Sequence, residues 1–373
     1  MIDNTLAEAM DKAGLPGLVA MAATADGVIH QAALGQRAPG VAMTLDSVAR
    51  IASMTKAITS ATALRLVEQG RLALNTPVGE LVPEVAQAQV LEGFDGETPI
   101  LRPARTPITL RHLLTHSAGF GYEGWNTDLQ RYWRLKGLPR IPGTPDDLRA
   151  VPLVFEPGSS WHYGINLEVA GLAMERATGR PLADLIASEI TVPLGMHDTS
   201  FLPGPAHQAR TMALHRREAD GGIVPMEMPF PTALPFAYGG GGLFSTAADY
   251  ILFLQAVMKG TLLSPALHAE FIRPQLPANP IVGQLRSCDP RSNDFDPFPG
   301  TASSWSLGFL VNAQPTASRR SPYSLCWGGI FNTYYWIDLT RGTCGVVMTQ
   351  LAPFADQGVL DVVAAYEAAI NRR

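Results

Sequence analysis

A chain of 373 residues with 46% hydrophobic and 16% charged residues can bury a large core, which excludes a disordered protein and leaves room for two domains or one unit with an inserted lobe. A net charge of −5 gives no electrostatic reason to expect nucleic acid or an anionic membrane as partner. The three cysteines, Cys288, Cys326 and Cys344, are widely spaced without metal-ligand spacing and read as reduced thiols.

The segment Met1–Glu8 lacks the basic region and apolar core of a signal peptide, and no run reaches the length of a membrane span. A soluble, cytoplasmic protein is therefore the expectation. Residues 4–13 read as a short amphipathic helix stopped by Gly14, and 17–24 and 28–34 as strands around the turn Ala25-Asp26-Gly27. A short β-compatible run, 47–52, leads into Ser53-Met54-Thr55-Lys56. A helix follows, with Ala57, Ala61, Leu64 and Val67 at i, i+4, i+7 and i+10 and Gly70 as its stop. Residues 72–83 read as loop.

The middle of the chain changes character. Helical pieces are expected at 109–116, where Thr109 is a capping hydroxyl, and at 167–178 and 182–190, separated by Pro/Gly-rich loops. The run Gly239–Gly242 is the sharpest break, and a helix restarts after Ser245 and continues through Met258. Strands are expected at 305–311, 323–327, 333–338 and 345–350, with a closing amphipathic helix over 356–371. Strands at both ends around a helical middle imply an α/β domain built from residues 1–75 and 240–373, with a mainly helical domain, 76–239, inserted between them.

Ser53 stands where a helix begins and Lys56 lies one turn on, facing the same side. The helix N-terminus and a nearby ammonium both favour loss of a serine proton, so the pair has the makings of a nucleophile. Of the four lysines (Lys12, Lys56, Lys136, Lys259), only Lys56 has a serine three residues before it, in an Ala-rich stretch suited to burial. No G-x-S-x-G elbow is present, which removes the anchor of an α/β-hydrolase reading. His112 and His116 are at i, i+4, but Leu113 occupies the place where a zinc protease motif requires Glu, so helix packing is the simpler reading. No cofactor or metal site is expected. Two further stretches stand out: the turn Glu156–Asn166 containing Tyr163, and Cys326-Trp327-Gly328-Gly329-Ile330, a strand end where two glycines would allow a close approach to the backbone.

In this order and at these spacings the motifs resemble the serine-active penicillin-binding fold, specifically class C β-lactamases and, more closely, the β-lactamase-like family VIII carboxylesterases. The resemblance runs from about residue 5 to the C-terminus and includes Leu113–Gly119 and the Gly-rich stretch before Ser245. It implies an α/β (α+β) fold, an antiparallel sheet flanked by helices with an inserted helical lobe and the active site at their interface. By position, Ser53 is the nucleophile and Lys56 its companion in the S-x-x-K motif. Tyr163 matches the first residue of Y-x-N, and Trp327-Gly328-Gly329 stands where lactamases carry K-T-G. The resemblance further implies an oxyanion hole from the N–H groups of Ser53 and Ile330. Tyr163 would take the Ser53 proton, aided by the Lys56 ammonium, and return it to the leaving alcohol.

Two departures shape the expected specificity. Ile165 occupies the third place of Y-x-N, with Asn166 one step too far, and Trp327 replaces a lysine suited to a lactam carboxylate. Both favour neutral, apolar ester substrates, with Phe120, Tyr122, Trp125 and Tyr238 as candidate pocket residues beside Trp327, Gly328 and Gly329. The expected activity is hydrolysis of short-chain carboxylic esters, with a small-molecule substrate and no nucleic acid or membrane partner. The same framework could serve an acyltransferase, a D-amidase or peptidase, or a weak β-lactamase. A non-catalytic binding protein would be expected to have lost at least one of Ser53, Lys56 and Tyr163.

Overall fold

The computed structural model describes residues 2–372 apart from 140, 141, 235, 237 and 319. Its largest sheet has eight strands: β1 (Gly17–Thr24), β2 (Gly27–Ala38), β3 (Val41–Ala42), β4 (Ser303–Trp305), β5 (Leu310–Asn312), β6 (Leu325–Gly329), β7 (Thr333–Asp338) and β8 (Thr343–Met348). They run antiparallel in the order β4-β5-β6-β7-β8-β1-β2-β3, so the first strands pair with the last through a register in which Val19 faces Met348.

Helices cover both faces, and the alternation of β7 shows how. Tyr335 packs on Tyr250 of one helix, Ala247–Lys259 (here α4), whereas its neighbour Trp336 packs on Tyr366 of the last, Gln357–Asn371 (α5). The first helix, Ile2–Ala13 (α1), lies against α5. Asp356 caps α5 by accepting from the Val359 N–H at 3.1 Å. Between the sheet and the middle of the chain runs Thr55–Glu68 (α2), which packs on Asn166–Thr178 (α3). Every residue of α2 from Thr55 to Leu64 is buried, which explains a composition of small residues with no polar face. No helix among the described residues is long and apolar enough to cross a membrane.

Several elements differ from the sequence expectation. The run 305–311 is a hairpin rather than one strand, because Ser306 and Phe309 close a turn through Ser306 N–H to Phe309 O at 2.8 Å. The strand expected at 323–327 starts at Leu325, since Tyr323 has a left-handed φ of +62° that no strand accommodates. The run 47–52 contracts to Ala49–Arg50, paired with Phe244–Ser245. Within the region read as helical, Gln89–Asp95 and Thr98–Pro103 form a hairpin, and Leu214–Arg217 pairs with Ile223–Met226.

Candidate active site

The chain reaches the site through the Ala49–Arg50 pair, after which Ile51 N–H bonds to Leu243 O and Ala52 turns at a φ of +45°. That left-handed residue swings Ser53 into a one-turn 3₁₀ segment, Ala52–Met54, ahead of α2. Ser53 faces a cavity of about 460 Å³. Lys56, in the first turn of α2, is only 2% exposed. Its ammonium has three N–H donors and three acceptors: Ser53 Oγ at 3.3 Å, Tyr122 Oη at 3.1 Å and Gly240 O at 2.6 Å. The rings of Tyr163 and Tyr122 also flank it, 4.7 Å and 5.2 Å from Nζ to centroid.

Tyr122 relays this contact inward by donating to Glu168 Oε1 at 3.0 Å. Glu168 sits on α3, and its Oε2 has no hydrogen-bond partner among the described residues. Burial pushes the Glu168 carboxyl above its ordinary pKa, and the Lys56 ammonium opposes that shift. Burial, with Glu168 next in importance, pushes the Tyr122 hydroxyl far up, which keeps it the proton donor of the pair.

Tyr163 ends the turn before α3 and borders the cavity. A side chain at Gly164 would bring its Cβ to 2.3 Å from Phe120 O, so this turn packs only with glycine. The Tyr163 hydroxyl accepts from Trp327 Nε1 at 3.0 Å, and among the described residues it makes no hydrogen bond to Ser53. Lys56, not Tyr163, is the side chain that reaches the serine hydroxyl. The indole N–H of Trp327 is engaged as well, so this residue offers the cavity chiefly its apolar face.

Tyr122, Trp125, Tyr238, Gly328 and Ile330 border the same cavity. Burial pushes the Tyr238 hydroxyl up to about 12. Two expected pocket residues lie elsewhere. Phe120 is fully buried in the core and does not border the cavity. Gly329 packs on the neighbouring backbone, where a Cβ would lie 2.4 Å from Ile51 O. Gly328 answers a packing need too, since its Cβ would meet the Tyr334 ring at 2.6 Å. Asn166 turns its carboxamide to His116 Nδ1 at 2.9 Å and away from Ser53. His112 reciprocates the Thr109 cap. His116 is fully enclosed, and burial holds it well below the ordinary histidine pKa.

Sequence reasoning missed Glu168, the role of the Tyr122 hydroxyl, the Gly240 carbonyl and Arg50, which also borders the cavity. Only Glu168 left a signal. It is the lone acid among Leu167, Val169, Ala170, Leu172, Ala173 and Met174, and a charge on a buried helix needs a partner.

The Beta-lactamase family model matches residues 2–369. The chain is 30% identical over 366 residues to the lovastatin esterase of Penicillium rubens, covering 92% of this chain and 91% of that one. It is 33% identical over 339 residues to the monacolin J acid methylbutanoyltransferase of Aspergillus terreus, covering 87% and 82%. A mutant simvastatin synthase from Aspergillus terreus superimposes with a TM-score of 0.85 at 29% identity, covering 100% of this chain and 94% of that one. Matched over almost its whole length by one family and sharing its mixed α/β fold, the chain belongs to the β-lactamase family of hydrolases and acyltransferases.

Proposed function

We propose that this protein is a serine carboxylesterase that works through an acyl-enzyme on Ser53. The observation that carries the reading is the Lys56 Nζ to Ser53 Oγ contact of 3.3 Å, at the start of a buried helix and at the wall of a largely apolar cavity. Ser53 Oγ attacks the ester carbonyl carbon while its proton passes to the oxygen of Tyr163, the base of a base system in which the Lys56 ammonium is the positive partner. The N–H groups of Ser53 and Ile330 hold the carbonyl oxygen as it becomes negative. The C–O bond then breaks, the alcohol leaves with that proton, and water activated by the same base system cleaves the acyl-serine. Tyr122 and Glu168 orient Lys56 throughout.

An alcohol that replaces water in the second half turns the same cycle into acyl transfer. The similarity to both an esterase and a methylbutanoyltransferase supports keeping that second reading. Lactams fit less well, because Trp327 has its N–H committed to Tyr163 and Asn166 faces away. A panel of aryl esters of increasing acyl length, beside a chromogenic cephalosporin and with or without added alcohols, tests the assignment. Turnover of short-chain esters well above the cephalosporin is expected. A cephalosporin specificity constant equal to or above that of aryl butyrate overturns it.

A further inference from the structure

Two arginines are buried among the described residues, and the fold treats them differently. Arg320 is matched in two places by buried Glu367, with Nε to Oε1 at 2.6 Å and Nη2 to Oε2 at 2.8 Å. Arg50, 8% exposed, has no carboxylate within ion-pair distance among the described residues. Its guanidinium carbon lies 4.8 Å from the ring centroids of both Phe230 and Phe244, which pack side by side at 5.9 Å. Only Nη2 is used: it donates to Met228 O at 2.7 Å and to Pro229 O at 3.5 Å. The N–H groups of Nε and Nη1 have no acceptor among the described residues, and Arg50 borders the cavity that holds Ser53.

Taken with the reading of an esterase or acyltransferase on Ser53, this geometry points to a substrate class: we infer that Arg50 anchors a carboxylate carried by the ester or by the acceptor alcohol, so that the preferred substrate is a monoanion with an apolar body. The other cations at the site are already partnered. Lys56 has all three protons committed, and Arg291 is neutralised by Glu123 at 2.8 Å and Asp289 at 2.7 Å. Among these three cations only Arg50 has no carboxylate or full set of acceptors among the described residues. A buried cation without a counter-ion is costly, and a ligand carboxylate offsets that cost on binding. The two backbone carbonyls on Nη2 and the contact with both phenylalanine rings restrain the guanidinium, which leaves the Nε and Nη1 N–H groups to donate to a carboxylate oxygen. A monoanionic carboxylate sheds water more readily than a doubly charged phosphate on entering apolar surroundings. Trp125, Tyr163, Trp327 and Phe354 offer the hydrocarbon part its surface. The inference revises the expectation drawn from Trp327 that the whole cavity suits neutral groups. Trp327 leaves an anion unpaired beside Tyr163, whereas Arg50 receives one on the side of residues 228–230.

The test uses matched probes on the full chain. Tryptophan fluorescence is titrated with hexanoate and with hexanamide, and kcat/KM is compared for 4-nitrophenyl hydrogen adipate and its methyl ester. Transfer from an aryl butyrate to 6-hydroxyhexanoate and to its methyl ester covers the acceptor side. At least a tenfold preference for the anion is expected in the titration and in one of the two kinetic pairs, the size of one charge-assisted hydrogen bond. Arg50→Met should bring the ratio close to one, and Arg50→Lys, which keeps the charge but not the placement of the guanidinium donors, should leave it in between. Equal affinity for hexanoate and hexanamide in the native chain overturns the inference, as does a preference that survives Arg50→Met. Should Arg50→Met fail to fold, the native ratio and Arg50→Lys decide. Hexanoate preference without turnover of any aryl ester would leave the anion site standing and remove the esterase reading. Ester turnover without preference would do the reverse.

Discussion

Deleting one oxygen from Tyr122 probes how the Lys56 ammonium is held. Tyr122→Phe keeps the ring against Trp125 and Tyr163, with centroids at 5.8 Å and 5.5 Å. It removes the acceptor 3.1 Å from Lys56 Nζ and the donor 3.0 Å from Glu168 Oε1. Both partners are buried, and Glu168 Oε2 is already without a partner among the described residues, so the carboxyl loses the one side-chain donor these residues give it. A hydrogen bond to a charged group contributes about 1.5–3 kcal/mol, and two such losses with partial relaxation amount to about 2–4 kcal/mol. At roughly 2 cal/mol/K of unfolding entropy per residue, a chain of this length loses roughly 3–5 °C in Tm. Lys56 retains Ser53 and Gly240 O but is less well oriented, so kcat should fall about ten- to a hundredfold. Because the Tyr122 bond lowers the Glu168 pKa against the upward push of burial, its loss raises that pKa further. The acid limb of the rate profile should then move to higher pH. Scanning calorimetry and aryl butyrate hydrolysis across pH are the assays. Native Tm with native kcat, or an acid limb displaced to lower pH, would refute the chain from Lys56 through Tyr122 to Glu168.

Further outcomes are expected. A fluorophosphonate probe should label Ser53 one-to-one, and Ser53→Ala should lose both labelling and ester hydrolysis; stoichiometric labelling of another serine removes Ser53 from its role. Tyr163→Phe should cost on the order of 10²-fold in kcat while Tm changes little, since only Trp327 Nε1 loses an acceptor. Near-native turnover in that variant, alongside an inactive His162→Ala, would transfer the base to a histidine. Glu156 is held down to about 2 by Arg102 and by the amides of Thr106 and Arg105. Its folded pKa lies below the ordinary 4.5, so its stabilisation is complete above that value and lost as pH falls toward 2. The Tm gap between the native chain and Glu156→Gln should therefore be widest near neutrality and close below pH 4.5; an equal gap at neutral and strongly acidic pH contradicts the assignment.

What could be read from the sequence was whatever local spacing encodes. Ser53 and Lys56 are one helical turn apart, Tyr163 lies in the turn before a helix, and Trp327-Gly328 lies at a strand end; the fold brings Ser53, Tyr163, Trp327 and Gly328 to one cavity, with Lys56 buried behind Ser53. Strand β7 was legible over its full length, and the closing helix expected over 356–371 runs from Gln357 to Asn371. The hairpin at 89–103 was not, because most of its residues face solvent and no apolar alternation marks it. Long-range partners were invisible for a different reason. Tyr122 and Glu168 are 46 residues apart, and Arg50 acquires its setting from residues 228–230 and 244. Phe120 was misplaced because two aromatics so close in sequence look equivalent until the backbone sends one to the core and one to the cavity.

The pairing of β1 with β8 imposes a delay during synthesis. Strand β1 is almost entirely buried and apolar, and besides β2 its only neighbour is made about 300 residues later. At roughly 5–20 residues per second, the nascent hairpin waits about 15–60 s with an open apolar edge. A two-stranded ribbon is marginal in water, and such an edge is a template for aggregation. The burden therefore falls on whatever shields the growing chain rather than on the finished fold. Since α1 packs against α5, a permuted gene that links those helices and opens at the exposed Gly96 turn would translate β1 soon after β8, with only α5, the link and α1 between them. That order of synthesis would bring the two strands out close together and shorten the wait.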